Sequence, residues 1–262
     1  VADFSDRSDA MILDISKAAV QVFAGGSAVN VERLGFTTGA GADRITTLSG
    51  EAGAGLGDTI SSGAGNDVIK IGGGQDVVDG GAGTDTLVID YSTATFQVRA
   101  GEGFFTDDHF VGVNYVGIEK MDVTSGSAGD NLLTVDGDDT IHAGAGDDSF
   151  NTAKGNGIVD GGAGDDLWIA DFSDRSDAMI LDISQSGLQK FAGGSAINVE
   201  RLSFVTGTGA DRITTLSGAA GFGLGDTISS GGGADIIKIG GGLDQVDGGQ
   251  GKDTLVADYS TS

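Results

Sequence analysis

The chain has no cysteine and no proline, one tryptophan, two histidines, and only 14 basic residues against 39 acidic ones. Each shortage excludes something. Without cysteine there is no disulfide framework and no thiolate metal site. Without proline, a glycine-rich chain is not a collagen repeat. A formal net charge of -25 over 262 residues makes nucleic acid and anionic membrane surfaces poor partners, since both would be repelled. No apolar run approaches the roughly 20 residues of a bilayer-spanning helix, so no membrane insertion is expected. No basic, apolar and small-residue triad opens the chain as a signal peptide would. What the chain has is glycine, 49 residues of 262, against a usual share of about 7 %. Val, Ile, Leu and Phe recur at regular intervals between the glycines, which argues against disorder. Cations are the natural partner.

Internal repetition organises the rest. Residues 1–94 align without a gap to 169–262, with 73 of the 94 pairs identical. One whole unit therefore runs from Val1 to Trp168, and the chain reads as a piece of a longer array. A weaker repeat lies inside it. NVERLGFTTGAGADRITT at 30–47 resembles GIEKMDVTSGSAGDNLLT at 117–134 and NVERLSFVTGTGADRITT at 198–215, at offsets of 87 and 81. Three modules follow, 1–88, 89–168 and 169–262. Each is a β-type segment followed by a Gly/Asp-rich tract, at about 37–88, 124–168 and 205–256.

Inside the tracts, aspartates recur every nine residues. They are Asp58, Asp67, Asp76 and Asp85, then Asp130, Asp139, Asp148 and Asp166 with Gly157 replacing one Asp, then Asp226, Asp235, Asp244 and Asp253. The fullest copies read GGAGTDTLV at 80–88, GGAGDDLWI at 161–169 and GGQGKDTLV at 248–256. They resemble the RTX, or hemolysin-type calcium-binding, nonapeptide G-G-x-G-x-D-x-U-x, a β-helix repeat.

The physical reading of the motif stands beside that resemblance. Its glycines allow a tight turn and leave carbonyls exposed at the concave edge. The x-U-x end makes a short strand whose central apolar residue points inward. Those residues are Ile60, Ile69, Val78 and Leu87 in the first tract, and Leu132, Ile141, Phe150, Val159 and Trp168 in the second. Nine residues make half a coil, so equivalent turns stack at every second repeat, about 4.8 Å apart. Carboxylates stacked within about 5 Å repel by roughly 0.8 kcal/mol even in water, so a row of them needs cations. Oxygen-only ligands on flexible turns select Ca²⁺ over Mg²⁺ or softer metals.

The expected pairs are Asp58/Asp76, Asp67/Asp85, Asp130/Asp148, Asp148/Asp166, Asp226/Asp244 and Asp235/Asp253. Asp139/Gly157 lacks one carboxylate and predicts a weak or water-filled site. Asp43/Asp67 and Asp211/Asp235 are 24 apart, which places six extra residues as bulges in SGEAGAGLG at 49–57 and SGAAGFGLG at 217–225. Carbonyl ligands are expected from the glycines of the same turns: Gly63, Gly65, Gly72, Gly74, Gly81 and Gly83, then Gly144, Gly146, Gly162 and Gly164, then Gly231, Gly233, Gly240, Gly242, Gly249 and Gly251. The chain departs from the family pattern at the first glycine, which is Ser62, Ile71, Thr134, Ala143, Ser230 or Ile239 in several copies.

Between the tracts, AMILDIS at 10–16, FVGVNYVGIEKMDV at 110–123 and INVERLSF at 197–204 read as strands. These segments are expected to cap or splice one roll to the next. The acidic run ADFSDRSD, at 2–9 and 170–177, reads either as a further calcium site or as a solvated turn with Arg7 or Arg175 paired locally. His109 and His142 read as exposed residues and Trp168 as core. No nucleophile-elbow, metalloprotease or phosphate-loop motif is present, and no enzyme is expected.

The fold class expected is all-β: right-handed parallel β-roll tracts joined by short β-strand segments, folding on calcium. Extracellular calcium modules bind at about 10⁻⁴–10⁻³ M. RTX proteins are typically exported unfolded by bacterial type I secretion and fold on meeting calcium, so the resemblance implies a secreted or cell-surface location. The function expected is a calcium-stiffened repeat region of a large surface protein (adhesin stalk, surface layer or filament), with self-association into an array left open. The alternative is the secretion and folding module of an RTX toxin or exoenzyme. Ice or glycan binding is disfavoured, because outward positions such as Thr59/Ser61 and Val68/Lys70 form no regular ladder.

Overall fold

The computed structural model describes residues 1–16, 20–23, 26–29, 31, 33–47, 57–107, 112–185, 187–191, 194–215 and 225–259. Every regular element among them is a strand. Most are three to five residues long and alternate in burial, as in Thr59–Ser61, Val68–Lys70 and Thr140–His142, where only the central residue is buried. This is the x-U-x pattern at work. An aliphatic or aromatic residue at U fills the interior, and the Gly/Asp-rich turn on either side ends the strand before it can lengthen.

Strands pair in parallel at fixed separations. Thr59 stands opposite Val77 and Ser149 opposite Leu167, in each case two nonapeptides farther along the chain. Gly35 stands opposite Thr59 and Arg44 opposite Val68, across the longer coils that also separate Asp43 from Asp67. Two sheets result, of thirteen and nine strands, and a four-stranded sheet alternates with the last strands of the larger one. The chain crosses from one sheet to the other at each turn, so every pair of crossings is one coil.

The core lies between the sheets as stacked columns. Leu13, Ile45, Ile69, Leu87 and Met121 are register neighbours on one side. Leu132, Phe150, Trp168 and Leu202 are neighbours on the other. All nine are at most 1 % exposed.

The segments between tracts do more than cap the rolls. Strands Thr86–Asp90 and Leu167–Asp171 run across residues 88/89 and 168/169, and each pairs in parallel with the next segment, Lys120–Thr124 or Arg201–Val205. FVGVNYVGIEKMDV splits into Gly112–Val116 and Lys120–Thr124, which enter different sheets. INVERLSF splits in the same way, between Gly194–Ile197 and Arg201–Val205. Antiparallel pairing is confined, among the described residues, to Val98–Gly101, Phe104–Asp107 and Gly112–Val116, and to the pairs at 21–28 and 189–197. Each inserted segment is thus itself a coil, with a hairpin drawn out of its edge. A run that alternates across a turn cannot remain in one sheet, because the buried face must point inward on both sides.

Candidate metal sites along the coil edges

Each turn ends on its aspartate, immediately before the next strand, and that position fixes what the carboxylate touches. Along one edge, the N–H of Met11 donates to Asp43 Oδ1, that of Asp43 to Asp67 Oδ1, and that of Asp67 to Asp85 Oδ1, at 2.7, 2.7 and 2.8 Å. On the opposite edge Leu34 donates to Asp58 and Asp58 to Asp76. Farther along, Val98 donates to Asp130, Asp130 to Asp148 and Asp148 to Asp166, at 2.7, 2.6 and 2.9 Å. Leu202, Asp226 and Asp244 form a further column, as do Met179, Asp211, Asp235 and Asp253. All eight expected Asp pairs therefore stand on neighbouring turns, including the two with the wider spacing. The segments expected to bulge, 49–57 and 217–225, lie outside the described residues except for Gly57 and Gly225. Asp139 accepts from Met121 N–H at 2.7 Å, and Gly157 offers it no second carboxylate.

One oxygen of each carboxylate is thereby a backbone cap. The other is left over in most of them, while Asp211 Oδ2 accepts from Thr206 Oγ1. Nine of these Oδ2 atoms, on Asp43, Asp67, Asp76, Asp85, Asp139, Asp148, Asp166, Asp235 and Asp244, are buried with no hydrogen-bond partner among the described residues. An unsatisfied buried polar group costs about 1–3 kcal/mol, and a charged one more. Together they match or exceed the roughly 5–15 kcal/mol by which a domain is ordinarily stable. A cation between successive turns would satisfy them.

Backbone carbonyls of the same turns are the remaining ligands expected. Of the glycines expected to present carbonyls, all but Gly72 and Gly240 hold φ between +72° and +151°. Gly83 (φ +149°) faces the carbonyl oxygen of Gly65, Gly164 that of Gly146, and Gly251 that of Gly233, each at a distance where a Cβ would collide with the oxygen. Replacing Gly83 by Ala is expected to cost about 1–3 kcal/mol through that collision, besides the strain of a positive φ. Denaturant midpoints in saturating calcium measure it, and an unchanged midpoint would contradict the packing described.

Gly72 and Gly240 follow a different path. Ile71 and Ile239 before them are drawn into the core, 6 % and 5 % exposed, and the Gly72 N–H donates to Thr47 Oγ1 at 2.9 Å. Elsewhere the departure at the first glycine has a positive role. Ser62 Oγ donates to Gly80 O at 2.8 Å and Ser125 Oγ to Ala143 O at 2.6 Å, tying successive turns together.

Among the described residues no three acidic or histidine side chains converge on one point. A cation here would draw on two carboxylates and on backbone carbonyls, the oxygen-rich set that suits calcium. Burial, the largest cause, pushes Asp76, Asp139 and Asp166 up to about 6. It takes Asp148 to about 7, where the carboxylates of Asp166, Asp130 and Asp147 add to it and the Asp130 N–H opposes it.

Sequence reasoning missed two ladder members, Glu119 and Glu200. The N–H of Asp85 donates to Glu119 Oε2 and that of Asp166 to Glu200 Oε2, both at 2.9 Å and both across 34 residues. The available signal was the Glu shared by GIEKM and NVERL. It also missed a third copy of the acidic-run turn. Asp3, Asp90 and Asp171 accept from the N–H of Ser5, Ser92 and Ser173. Each of these turns lies under a glycine turn, with Arg7 O, Ala94 O and Arg175 O accepting from Ala40, Ser127 and Thr208. D-F/Y-S at 3–5, 90–92 and 171–173 was its signal. Within the run Arg7 pairs with Asp9, while Arg175 donates to Asn156 and lies 5.1 Å from the Phe172 ring centroid. His142 is exposed at a strand end, 3.9 Å from Asp160, and His109 lies outside the described residues.

Comparison with protein families finds four copies of the RTX calcium-binding nonapeptide repeat, over residues 52–87, 124–159, 133–167 and 221–255. Comparison with curated proteins finds no match. RTX nonapeptide repeats bind calcium ions, and the matched stretches cover the turns that carry most of the buried Oδ2 atoms. With those turns stacked in register, the chain is an RTX repeat protein, built around a calcium-binding repeat region.

Proposed function

We propose that the chain is a non-enzymatic, calcium-folded rod segment of an extracellular bacterial surface protein such as an adhesin stalk, surface layer or filament. The observation that carries the reading is the set of unpartnered Oδ2 atoms stacked on both coil edges. The apolar interior is narrow, so ions between turns supply what burial cannot, and folding is coupled to binding. At the roughly 10⁻⁴–10⁻³ M affinity of extracellular modules, such a chain is unfolded at cytosolic calcium and folds outside. Two features support a rod over a compact module: the stretch 1–94 returns nearly unchanged at 169–262, and the sheets run through both segment boundaries.

The test is a calcium titration followed by far-UV circular dichroism and hydrodynamic radius, with magnesium as control. The expected result is a coil-to-β transition with compaction near about 10⁻⁴–10⁻³ M calcium and none with magnesium. A chain already compact and β-rich in chelator near pH 8, where the buried carboxylates are ionised, would overturn the proposal.

A further inference from the structure

Each tract ends on a turn that keeps glycine at its first position: Gly80, Gly161 and Gly248. In the other described turns ending on Asp, that position carries a side chain, and in Ser62, Ser125 and Ser230 its hydroxyl bonds the next turn. The structure gives the reason for two of the glycines. A Cβ on Gly80 would collide with Gly117 O and stand 2.9 Å from Asp85 Oδ2. A Cβ on Gly161 would collide with Asn198 O and stand 2.6 Å from Asp166 Oδ2.

Two acceptors thus converge on the space a first-position side chain would fill. Gly117 and Asn198 turn their backbone there at φ +62° and +53°. Asp85 and Asp166 are fully buried, and no donor among the described residues reaches either Oδ2. Across the gap Glu119 and Glu200 hold the place in the column that the next aspartate would take. They accept the Asp85 and Asp166 N–H bonds at the length found between nonapeptide aspartates. The nearby cation Arg201 is engaged with Asp165. The arrangement occurs twice at one constant offset, Asp85 answering to Asp166, Gly117 to Asn198 and Glu119 to Glu200.

We infer that the chain holds a second class of divalent-cation site, one at each junction between a tract and the following segment, formed by Asp85, Gly117 O and Glu119 and by Asp166, Asn198 O and Glu200. A buried carboxylate oxygen with no donor, facing a carbonyl oxygen, is repelled by it unless a cation lies between them, and two carboxylates with a carbonyl are hard-ion ligands. These sites lie outside the nonapeptide spacing and make calcium the bond between roll and connector. The inference rests on the calcium reading above.

The test is calcium stoichiometry by equilibrium dialysis of the whole chain and of Glu119→Gln, Glu200→Gln and the double variant. A glutamine oxygen can still accept the Asp85 or Asp166 N–H. Each single variant is expected to lose one ion and the double variant two, with the calcium-saturated dichroism retained. Unchanged stoichiometry in a wild type that binds calcium overturns the junction sites alone, whereas a wild type that binds none overturns both readings. Should the glutamine variants not fold, Glu119→Asp and Glu200→Asp keep the charge on a side chain one methylene shorter. They are expected to raise the calcium needed for saturation, and a wild-type binding curve from them would equally overturn the inference.

Discussion

In a calcium chelator near pH 8 the chain is expected to give a coil-like far-UV spectrum, and to gain β-structure as the pH falls through about 7 to 6. The folded turns hold Asp76, Asp139 and Asp166 near 6 and Asp148 near 7, against an ordinary carboxylate value of 3.8. A group raised on folding contributes stability that is full below its unfolded value and is lost as pH rises through its folded value. Acid therefore favours the metal-free fold, by putting protons on the oxygens that calcium would otherwise neutralise. Most proteins behave in the opposite way, because their carboxylates are stabilised in the ionised form. Saturating calcium should remove the dependence over the same range. Asp148→Asn, which fixes the neutral form at one turn, should move the metal-free transition to higher pH. A metal-free chain as ordered near pH 8 as near pH 5 would show that the buried Oδ2 atoms carry no such penalty.

Trp168→Ala is expected to destabilise the calcium-loaded chain by about 3–5 kcal/mol, the usual cost of truncating a fully buried aromatic. Trp168 is fully buried at an inward repeat position. Its ring lies 4.7 Å from Phe204 and 5.5 Å from Phe191 between centroids, and its Nε1–H donates to Thr152 Oγ1 at 3.1 Å. Phe172 packs on the same cluster at 6.3 Å. The side chain thus joins the last turns of the second tract to the segment that follows. Trp168→Phe should recover most of the loss in volume but not the hydrogen bond. Denaturant unfolding followed by circular dichroism measures both variants. A loss below about 1 kcal/mol for the alanine, well under the usual cost, would mean that this junction contributes little to the core.

The site geometry was legible in the sequence wherever the nine-residue phase is unbroken. In each repeat the strand centre points inward and the aspartate ends the turn. Fixing the strand length therefore fixes which apolar residues meet at every second repeat and which aspartates stack. The wider pairs were legible as well, because the extra residues leave Asp43 and Asp67 each at the same point before a strand. Three things were not. The sequence does not say which carboxylate oxygen caps a neighbouring N–H and which is left without a donor, since that depends on the rotamer packed against the next coil.

Nor does it say that Glu119 completes the column of Asp85, or Glu200 that of Asp166. Those partners lie 34 residues apart across a non-periodic stretch, and the contact exists only because the drawn-out hairpin returns the chain to the same edge. It also hides the change of edge. The turns ending at Asp67 and Asp85 lead into the nine-stranded sheet, whereas those ending at Asp148 and Asp166 lead into the thirteen-stranded one. By itself the sequence determined the coil, its inward residues and its stacked aspartates, because these follow from a local period. The tertiary structure decided how one tract is joined to the next, because parallel pairing across a long connection is fixed by burial on both faces and by no spacing within the chain.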